Sequence, residues 1–399
     1  MVANPADTAF GGDASSRACH FITALAGSRY LNHADAPQRD ASNREPSMPL
    51  DSSAPLPLST ADLPGIGGRI RDRPEDFEVE EIPAYPASGS GEFLYLWVEK
   101  TGMGAEYFLQ QVARRLQIRP GDIGLAGLKD RWAVTRQMIS VPGHCESQLP
   151  ALEGEGIRLL RVDRHTNKLR SGHLKGNRFR IAIRDPNTEA AKNLDVLLER
   201  LRTQGVPNYY GPQRFGRGGE TAQTGLALMR QERFRLKPFL RKLALSAVQS
   251  LLFNDYLARR LSDGLLHRIL RGDVLSKRAT GGLFVAEDER REQERFDAGE
   301  TVHAGPIFGR KMMPAAAQAS EREAAVLADA KIEPEAFHGF GKLLQGTRRH
   351  NLVFPQQLTC ERDPNVVRLD FVLRAGAYAT VLLREVMKAD DLAADSAEA

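Results

Sequence analysis

Residues 93–98, with the sequence Phe-Leu-Tyr-Leu-Trp-Val, constrain the fold most, because every position is apolar. In a strand, alternate residues point to opposite faces, so the aromatic rings share one face and the aliphatic side chains share the other. A strand that is apolar on both faces is normally covered on both. We therefore expect an interior sheet with layers on each side, and an aromatic row that belongs to the core rather than to a base-stacking platform.

Strands and helices are predicted in mixed order along the rest of the chain. Alternating apolar residues predict strands at residues 77–82, 135–141, 177–184 and 366–373. Helical spacing of apolar residues predicts helices at residues 105–116, 194–201, 240–261 and 379–387. Residues from about 262 to 347 are polar and helical in texture, with breaks at glycine and proline.

The length of 399 residues and the hydrophobic content of 42% suffice for a sizeable core in two or three structural units. No apolar run approaches the roughly 20 residues of a membrane helix, and the N-terminus lacks a signal-peptide pattern, so we expect a cytoplasmic protein without a membrane partner. Cys19, Cys145 and Cys360 are far apart and indicate neither a disulfide framework nor a thiolate zinc site. Residues 1–60 show no sustained period, which predicts a disordered extension.

Residues 158–184 form a basic tract that contains nine Lys and Arg and one acidic residue, Asp163. The net charge of +4 understates this tract, because residues 1–60 carry a balance of −2. At its end, apolar and basic side chains alternate, with one face formed by Phe179, Ile181 and Ile183 and the other by Arg178, Arg180 and Arg184. We expect a basic hairpin that packs one face and turns the other toward a polyanion such as RNA. The alternative is a solvated charged face.

Asp130 is the candidate for the chemistry, because it lies between the cations Lys129 and Arg131. A carboxylate flanked by positive charge stays ionised well below neutral pH and suits a nucleophile or charge stabiliser. Gly124 and Gly127 precede it, and a predicted strand follows, so a tight turn is expected to deliver Asp130 to a rigid scaffold. Alone, such a triplet is more typical of a solvated loop, and the surrounding glycines and strand favour the catalytic interpretation.

Residues 206–219 form a glycine-rich loop with aromatic rings and an amide, Asn208. Its glycines match neither a G-x-G-x-x-G spacing nor a phosphate-binding loop, which argues against a nucleotide cofactor. Stacking rings beside hydrogen-bonding amides fit the recognition of an unpaired base.

Together these features resemble the TruD family of tRNA pseudouridine synthases. The motifs that carry the resemblance occur in family order at residues 73–81, 126–135, 168–179, 206–216, 354–358 and 375–380. The resemblance implies conversion of uridine to pseudouridine in RNA, most typically at position 13 of tRNA, by an enzyme without cofactor or metal. It also implies that Asp130 is the catalytic carboxylate, which assists cleavage of the C1′–N1 bond either by attack on the sugar or by aiding formation of a glycal.

The resemblance assigns further residues to the substrate. It implies that Phe77 and Asn208 contact the extruded base and that Lys129 sits beside the catalytic carboxylate. Tyr210 and Tyr378 stand where the family often has Phe, so stacking is expected with an added hydroxyl. Core packing of Phe77 or Tyr378 and a turn-capping role of Asn208 remain alternatives.

The same resemblance implies an α+β fold, in which a mixed, largely antiparallel sheet flanked by helices forms a catalytic domain with an inserted family-specific α+β domain. We expect the catalytic domain at residues 61–234 and 349–390, the insertion at 235–348, and a tail at 391–399. The RNA is expected between the two domains, with its backbone on Arg170, Lys175 and Arg178.

Two other functions remain open from the residues alone. One is a protein that binds or folds tRNA without modifying it, although a carboxylate in a polyanion site would then serve no purpose. The other is an enzyme that acts on RNA phosphates, which would need metal-binding carboxylates or a histidine pair that the sequence does not display. No protein partner is inferred.

Overall fold

The computed structural model describes residues 55–127, 129, 131–230 and 235–389. Within them the strands, in chain order, are β1 Phe77–Pro83, β2 Phe93–Thr101, β3 Gly124–Leu125, β4 Val134–Pro142, β5 Ile157–His165, β6 Leu174–Arg184, β7 Val206–Pro207, β8 Val274–Lys277, β9 Leu283–Val285, β10 Thr301–Ile307, β11 Thr347–His350, β12 Leu352–Val353, β13 Gln356–Asp363 and β14 Val366–Arg374. The helices are α1 Ala105–Arg115, α2 Leu194–Gln204, α3 Glu220–Met229, α4 Pro238–Ser262, α5 Glu289–Asp297, α6 Ala317–Asp329 and α7 Ala379–Met387.

The main sheet has the strand order β13-β14-β6-β1-β4-β2-β5, with β3 paired to β4. Only the β1–β4 pair is parallel among these described strands; the other pairs are antiparallel. The expected mixed, largely antiparallel sheet flanked by helices is confirmed. Its strands come from both ends of the described chain, because β13 and β14 return beside β6.

The basic tract does not form the expected hairpin. β5 is an edge strand, and β1, β4 and β2 separate it from β6. The burial of the two strands explains the separation. β6 carries an apolar face that is buried in the interior, whereas most side chains of β5 are exposed or half-buried. A strand with a fully apolar face gains more from a central position than from an edge.

Both faces of β2 are covered, as its sequence predicts. Leu94, Leu96 and Val98 are fully buried against α1, where Phe108 and Val112 occupy the facing helical positions. On the other face, Tyr95 packs with Phe93, Trp97, Leu169 and Leu174 in a separate cluster. The aromatic row is therefore core. α2 and α7 cover β6 and β14 in a third cluster that includes Ile181, Leu201, Phe371 and Leu383.

A second sheet has the order β11-β10-β8-β9 and is accompanied by α4, α5 and α6. For residues from about 262 to 347 the residue pattern predicted helices only, and it missed these strands. β8 and β9 contain four and three residues, too few for alternation to show. β10 is buried at all seven positions, so it has no polar face to mark it as a strand.

Residues 55–60 contact α7, although the sequence assigns them to the extension. The carboxylate of Glu385 accepts hydrogen bonds from the backbone N–H and hydroxyl of Ser59 at 2.8 and 2.9 Å. It also accepts bonds from the N–H and hydroxyl of Thr60 at 3.1 and 2.6 Å. Thr60 and Glu385 are 1% and 2% exposed. The folded chain therefore begins before residue 60, and residues 1–54 lie outside the described residues.

In the described part of the chain, no helix combines the length and the apolar character needed to cross a membrane.

Candidate active site

Lys129 is held in the interior by two polar partners. Its Nζ lies 2.9 Å from Oε1 of Glu81 and donates a hydrogen bond to Oδ1 of Asn177 at 2.7 Å. The side chains of Lys129 and Glu81 are only 7% and 1% exposed. The second carboxylate oxygen of Glu81 accepts the backbone N–H of Met138 at 3.1 Å. A buried charge pair is tolerated when its remaining hydrogen-bonding capacity is filled in this way.

Strand register explains how these partners meet. Glu81 near the end of β1 pairs with Asn177 near the start of β6, so the two residues are neighbours across the sheet. Lys129 reaches both from the loop between β3 and β4. Three motifs that are far apart in sequence, at residues 73–81, 126–135 and 168–179, thus converge on one ammonium. Asp130, the next residue after Lys129, lies outside the described residues.

Gly124 serves close approach rather than the turn expected of it. It lies in β3, where a Cβ would come within 2.3 Å of the carbonyl oxygen of Leu169 and of Oγ of Ser140. The Ser140 hydroxyl accepts the backbone N–H of Leu169 at 2.9 Å, so the three segments are tied together. Any larger residue would push β3 away from the chain that leads to β6.

Asn208 follows β7 and is only 8% exposed. Its Nδ2 donates to the carbonyl of His350 at 2.8 Å, and its Oδ1 accepts from Nη2 of Arg349 at 2.6 Å. Arg349 also donates to the backbone carbonyl of Asn208 at 3.1 Å. The amide of Asn208 is therefore engaged with β11, which belongs to the second sheet.

The ring of Tyr210 stacks on the guanidinium of Arg349, which also binds Asn208. The Cζ atom of Arg349 is 4.1 Å from the centroid of the Tyr210 ring, and that of Arg214 is 5.3 Å away. The ring meets Phe253 and Tyr378 edge-on, with centroids 5.7 and 6.0 Å apart. Tyr210 is 4% exposed and its backbone pairs with the amide of Asn254, whereas Tyr378 is half-buried. The structure thus brings Asn208, Tyr210 and Tyr378 together.

Arg349 belongs to this cluster of candidate site residues, and sequence reasoning missed it. Besides its contacts with Asn208 and Tyr210, it donates to the carbonyl of Gly376 at 2.9 Å, just beyond the end of β14. One side chain therefore links β11 of the second sheet, the Asn208 loop and the end of β14. The only signal in the sequence was the run Thr-Arg-Arg-His-Asn at residues 347–351.

Phe77 occupies a different environment. It is 1% exposed at the start of β1, and its ring meets Phe179 edge-on with a centroid distance of 6.3 Å. The guanidinium of Arg71 lies 4.4 Å from its centroid. Phe77 belongs to the cluster beneath α2 and α7, whereas Tyr210 and Tyr378 belong to the cluster around α4.

The predicted RNA-backbone residues divide into two groups. Arg170 and Lys175 are exposed. Arg178 forms a two-pronged hydrogen-bonded pair with Asp370 of β14, with both distances at 2.8 Å. Burial opposes ionisation of Asp370, but hydrogen bonds from Arg178 and Arg180 outweigh it and lower the pKa of this carboxyl. The anion that Arg178 faces within the chain is therefore a carboxylate of the neighbouring strand.

Among the described residues, no group of three or more His, Cys, Asp or Glu side chains is arranged to hold a metal ion.

The whole fold resembles that of a crystal structure from Methanosarcina mazei, described as a candidate tRNA pseudouridine synthase D (TruD). The TM-score is 0.70 at 24% sequence identity, and the match covers 85% of this chain and 98% of that chain. The fold thus defines the class: α+β proteins of the TruD architecture, here with three family motifs gathered around one buried lysine.

Sequence similarity assigns the chain to a family. The family model described as tRNA pseudouridine synthase D (TruD) matches residues 56–235 and 233–386. This chain belongs to that family. A tRNA pseudouridine synthase D from Thermus thermophilus is 45% identical over 337 residues, covering 84% of this chain and 93% of the relative. One from Anaeromyxobacter dehalogenans is 44% identical over 341 residues, covering 84% of this chain and 97% of the relative.

Proposed function

We propose that this enzyme is a tRNA pseudouridine synthase that isomerises uridine to pseudouridine, most typically at position 13, with Asp130 as the catalytic carboxylate. Family membership supports the reaction. The observation that carries the residue assignment is the anchoring of Lys129 by Glu81 and Asn177, at 2.9 and 2.7 Å. This anchoring restrains the backbone immediately before Asp130, and a reactive group needs such a rigid support.

Asp130 would act on the C1′–N1 bond of the target nucleotide, by attack on C1′ or by assisting formation of a glycal. After cleavage, the uracil turns and its C5 bonds to C1′, as the Asp130–C1′ bond breaks in the first route or as C2′ of the glycal regains its proton in the second. The proton lost from C5 is matched by one gained at N1, so the reaction is an isomerisation. The carboxylate has to be ionised for either route. The adjacent Arg131 favours its charged form, whereas the charge of Lys129 is compensated by Glu81. The uridine lies inside folded RNA, so it must be extruded into a pocket before it can react.

We propose that the pocket is formed around the cluster of Asn208, Tyr210 and Tyr378, together with Lys129. Phe77, which is 1% exposed in a separate cluster, would contact the substrate after a local rearrangement on RNA binding. Arg349 supports this cluster, because it holds the Asn208 amide and lies over the Tyr210 ring. Arg170, Lys175 and Arg178 would contact the RNA backbone. Arg178 would do so with one side of its guanidinium already bound to Asp370.

The division into a catalytic domain at residues 61–234 and 349–390 and an insertion at 235–348 is part of the proposal. Two separate sheets support it, one built from β1–β6 with β13 and β14, the other from β8–β11. β11 ends at His350, two residues beyond the proposed boundary. A cytoplasmic location, where tRNA is modified, completes the proposal.

The reaction is tested with the full chain and an unmodified tRNA transcript, by chemical derivatisation of pseudouridine followed by primer extension. We expect a stop at one uridine with the wild type and none with Asp130→Asn. This change removes the charge but keeps the shape, so RNA affinity should stay within a few fold. Turnover of the variant above about a hundredth of the wild-type rate would contradict the role of Asp130.

The same experiment separates the alternative function. If the protein only binds or folds tRNA, the wild type and Asp130→Asn should both bind the transcript, and neither should produce pseudouridine. Mapping pseudouridine in total RNA from cells with and without the gene then identifies the modified position.

A further inference from the structure

The side chain of Arg278 joins the second sheet to the segment that follows β12. It directly follows β8, and its Cζ lies 4.4 Å from the centroid of the Phe354 ring. Phe354 follows β12 and packs against Gly205, where an added Cβ would come within 3.2 Å of the ring. A guanidinium stacked on an aromatic face keeps its N–H donors free at its edge. Phe354 opens the motif at residues 354–358, which has no role in the function proposed above.

Arg374 is the second cation at this place. It is the last residue of β14 and is exposed. Strand register places Arg374 beside Phe354, on which Arg278 stacks: Gln356 of β13 pairs with Val372 of β14, so residue 354 lies opposite the end of β14. Consistent with this position, desolvation and, after it, the positive charge of Arg374 lower the pKa of Arg278. Among the described residues, no carboxylate lies within ion-pair distance of either one. Other arginines of the chain, such as Arg178 and Arg260, are paired with aspartate.

Two like charges that approach each other without a counter-charge raise the energy of the protein, and a bound anion removes this cost. The planar fork of a guanidinium matches a phosphate group, which it binds through two parallel hydrogen bonds. Lys175, a predicted backbone contact, adjoins Arg374, because its carbonyl accepts the N–H of Ala375. The surroundings are therefore cationic, and the anion they fit is a phosphodiester.

We propose that Arg278 and Arg374 form a clamp that holds one phosphodiester of the RNA substrate between the second sheet and the main sheet. This inference rests on the proposed function, because the tRNA supplies the phosphate. The clamp adjoins the candidate active site: Gly376, whose carbonyl accepts a hydrogen bond from Arg349, is two residues beyond Arg374. A phosphate bound here would tie the second sheet to the RNA near the extruded nucleotide.

The test is the salt dependence of binding to an unmodified tRNA transcript, measured by fluorescence anisotropy over a series of KCl concentrations. All chains carry Asp130→Asn, so that turnover cannot alter the ligand during the titration. Arg278→Gln and Arg374→Gln should each reduce the slope of log Kd against log [KCl] by about one, because neither guanidinium holds the phosphate alone and the whole contact is lost with either. In the double variant the slope should also fall by about one and not by two, because both arginines bind the same phosphate.

Arg290→Gln is the matched control. Arg290 is also an arginine of the second-sheet region, it is 92% exposed, and its partner is Glu294. It should leave the slope unchanged. Arg278→Lys keeps the charge and should keep the slope while weakening affinity. Equal melting temperatures of all variants verify that each is folded.

Unchanged slopes in both single variants would overturn the phosphate site. Slope losses that add to about two in the double variant would overturn the shared clamp, because they indicate two separate phosphates. The binding readout does not depend on isomerisation. If the wild-type chain formed no pseudouridine but the slopes changed as expected, the proposed reaction would fail and the clamp would stand.

Discussion

The ammonium of Lys129 is shielded from water and is compensated by two neighbours inside the protein. Glu81 supplies the opposite charge and Asn177 an acceptor oxygen. When one partner of such a pair is removed, the other is left as an uncompensated buried charge, whereas removing both charges is often tolerated. Stability and catalysis can therefore be separated at this pair.

Glu81→Gln should lower the free energy of unfolding by roughly 3 kcal/mol, because it leaves the Lys129 ammonium without a counter-charge. The double variant Lys129→Met/Glu81→Gln should recover most of this loss but not the turnover, because the restraint next to Asp130 is gone. Urea unfolding and single-turnover assays measure the two quantities. Recovery of turnover together with stability would mean that Lys129 has only a packing role.

Individual residues were predictable from the sequence to different degrees. The cations around Asp130 and the amide and rings of the Asn208 loop are local patterns, so they could be identified without a fold. The partners of Lys129 depend on strand register, with Asn177 48 residues away, and the role of Arg349 depends on a contact with Asn208 across 141 residues. No local spacing encodes such contacts, and Arg178 shows the same limit, since its partner Asp370 lies on β14.

Among the elements, the strands with a clear apolar face were predicted well. β6 and β14 alternate between apolar and polar residues, β2 is apolar at six consecutive positions, and α1, α4 and α7 show helical spacing over at least two turns. β8 to β11 are short or buried throughout and give no such signal. β10 also contains a buried histidine, His303, which makes the stability of the second sheet dependent on pH.

His303 is 1% exposed, and its Nε2 lies 2.6 Å from the carbonyl oxygen of Leu266. Burial, followed by the charge of Arg260, lowers the pKa of His303 from 6.5 to about 3. The folded-state pKa lies below the unfolded value, so the unfolded chain binds the proton more readily. The free energy of unfolding therefore has its full value above pH 6.5, where His303 is neutral in both states. It decreases as the pH falls from 6.5 toward about 3, because only the unfolded chain takes up the proton.

We expect the free energy of unfolding to fall through this window by up to about 1.4 kcal/mol per pH unit on account of His303 alone. His303→Gln should remove this contribution, so wild type and variant should converge in stability as the pH is lowered. The exposed His144, changed to Gln, is the control and should not alter the slope. A pH-independent difference between wild type and His303→Gln would contradict the assignment.

At the scale of the whole molecule, the beginning and the end of the described chain are fastened together. Glu385 on α7 receives its hydrogen bonds from Ser59 and Thr60, and Arg384 donates to the carbonyl of Leu56. The family match begins at residue 56, close to the same point. The sequence analysis predicted the start of the folded part a few residues too late. Residues 55–60 have no periodicity, so their sequence does not indicate that they contact a distant helix.

Deleting residues 1–54 should leave the melting temperature and turnover unchanged, since that segment lacks apolar periodicity and carries net negative charge. Deleting residues 1–60 should lower stability by about 1–3 kcal/mol, because the buried carboxylate of Glu385 loses its donors. Thermal unfolding of both truncations measures the difference. Adding Glu385→Gln to the longer truncation should restore part of the loss; equal stability of the two truncations would contradict this account.

The position of β5 at the edge of the main sheet has a further consequence. An edge strand presents unpaired backbone groups to which a strand of another molecule can add. β5 carries Arg158, Arg161 and Arg164 on this edge strand, each paired with an acidic side chain, so an incoming strand would have to desolvate charged groups. We therefore expect this part of the basic tract, which does not join β6, to disfavour the addition of a strand from another molecule at this edge.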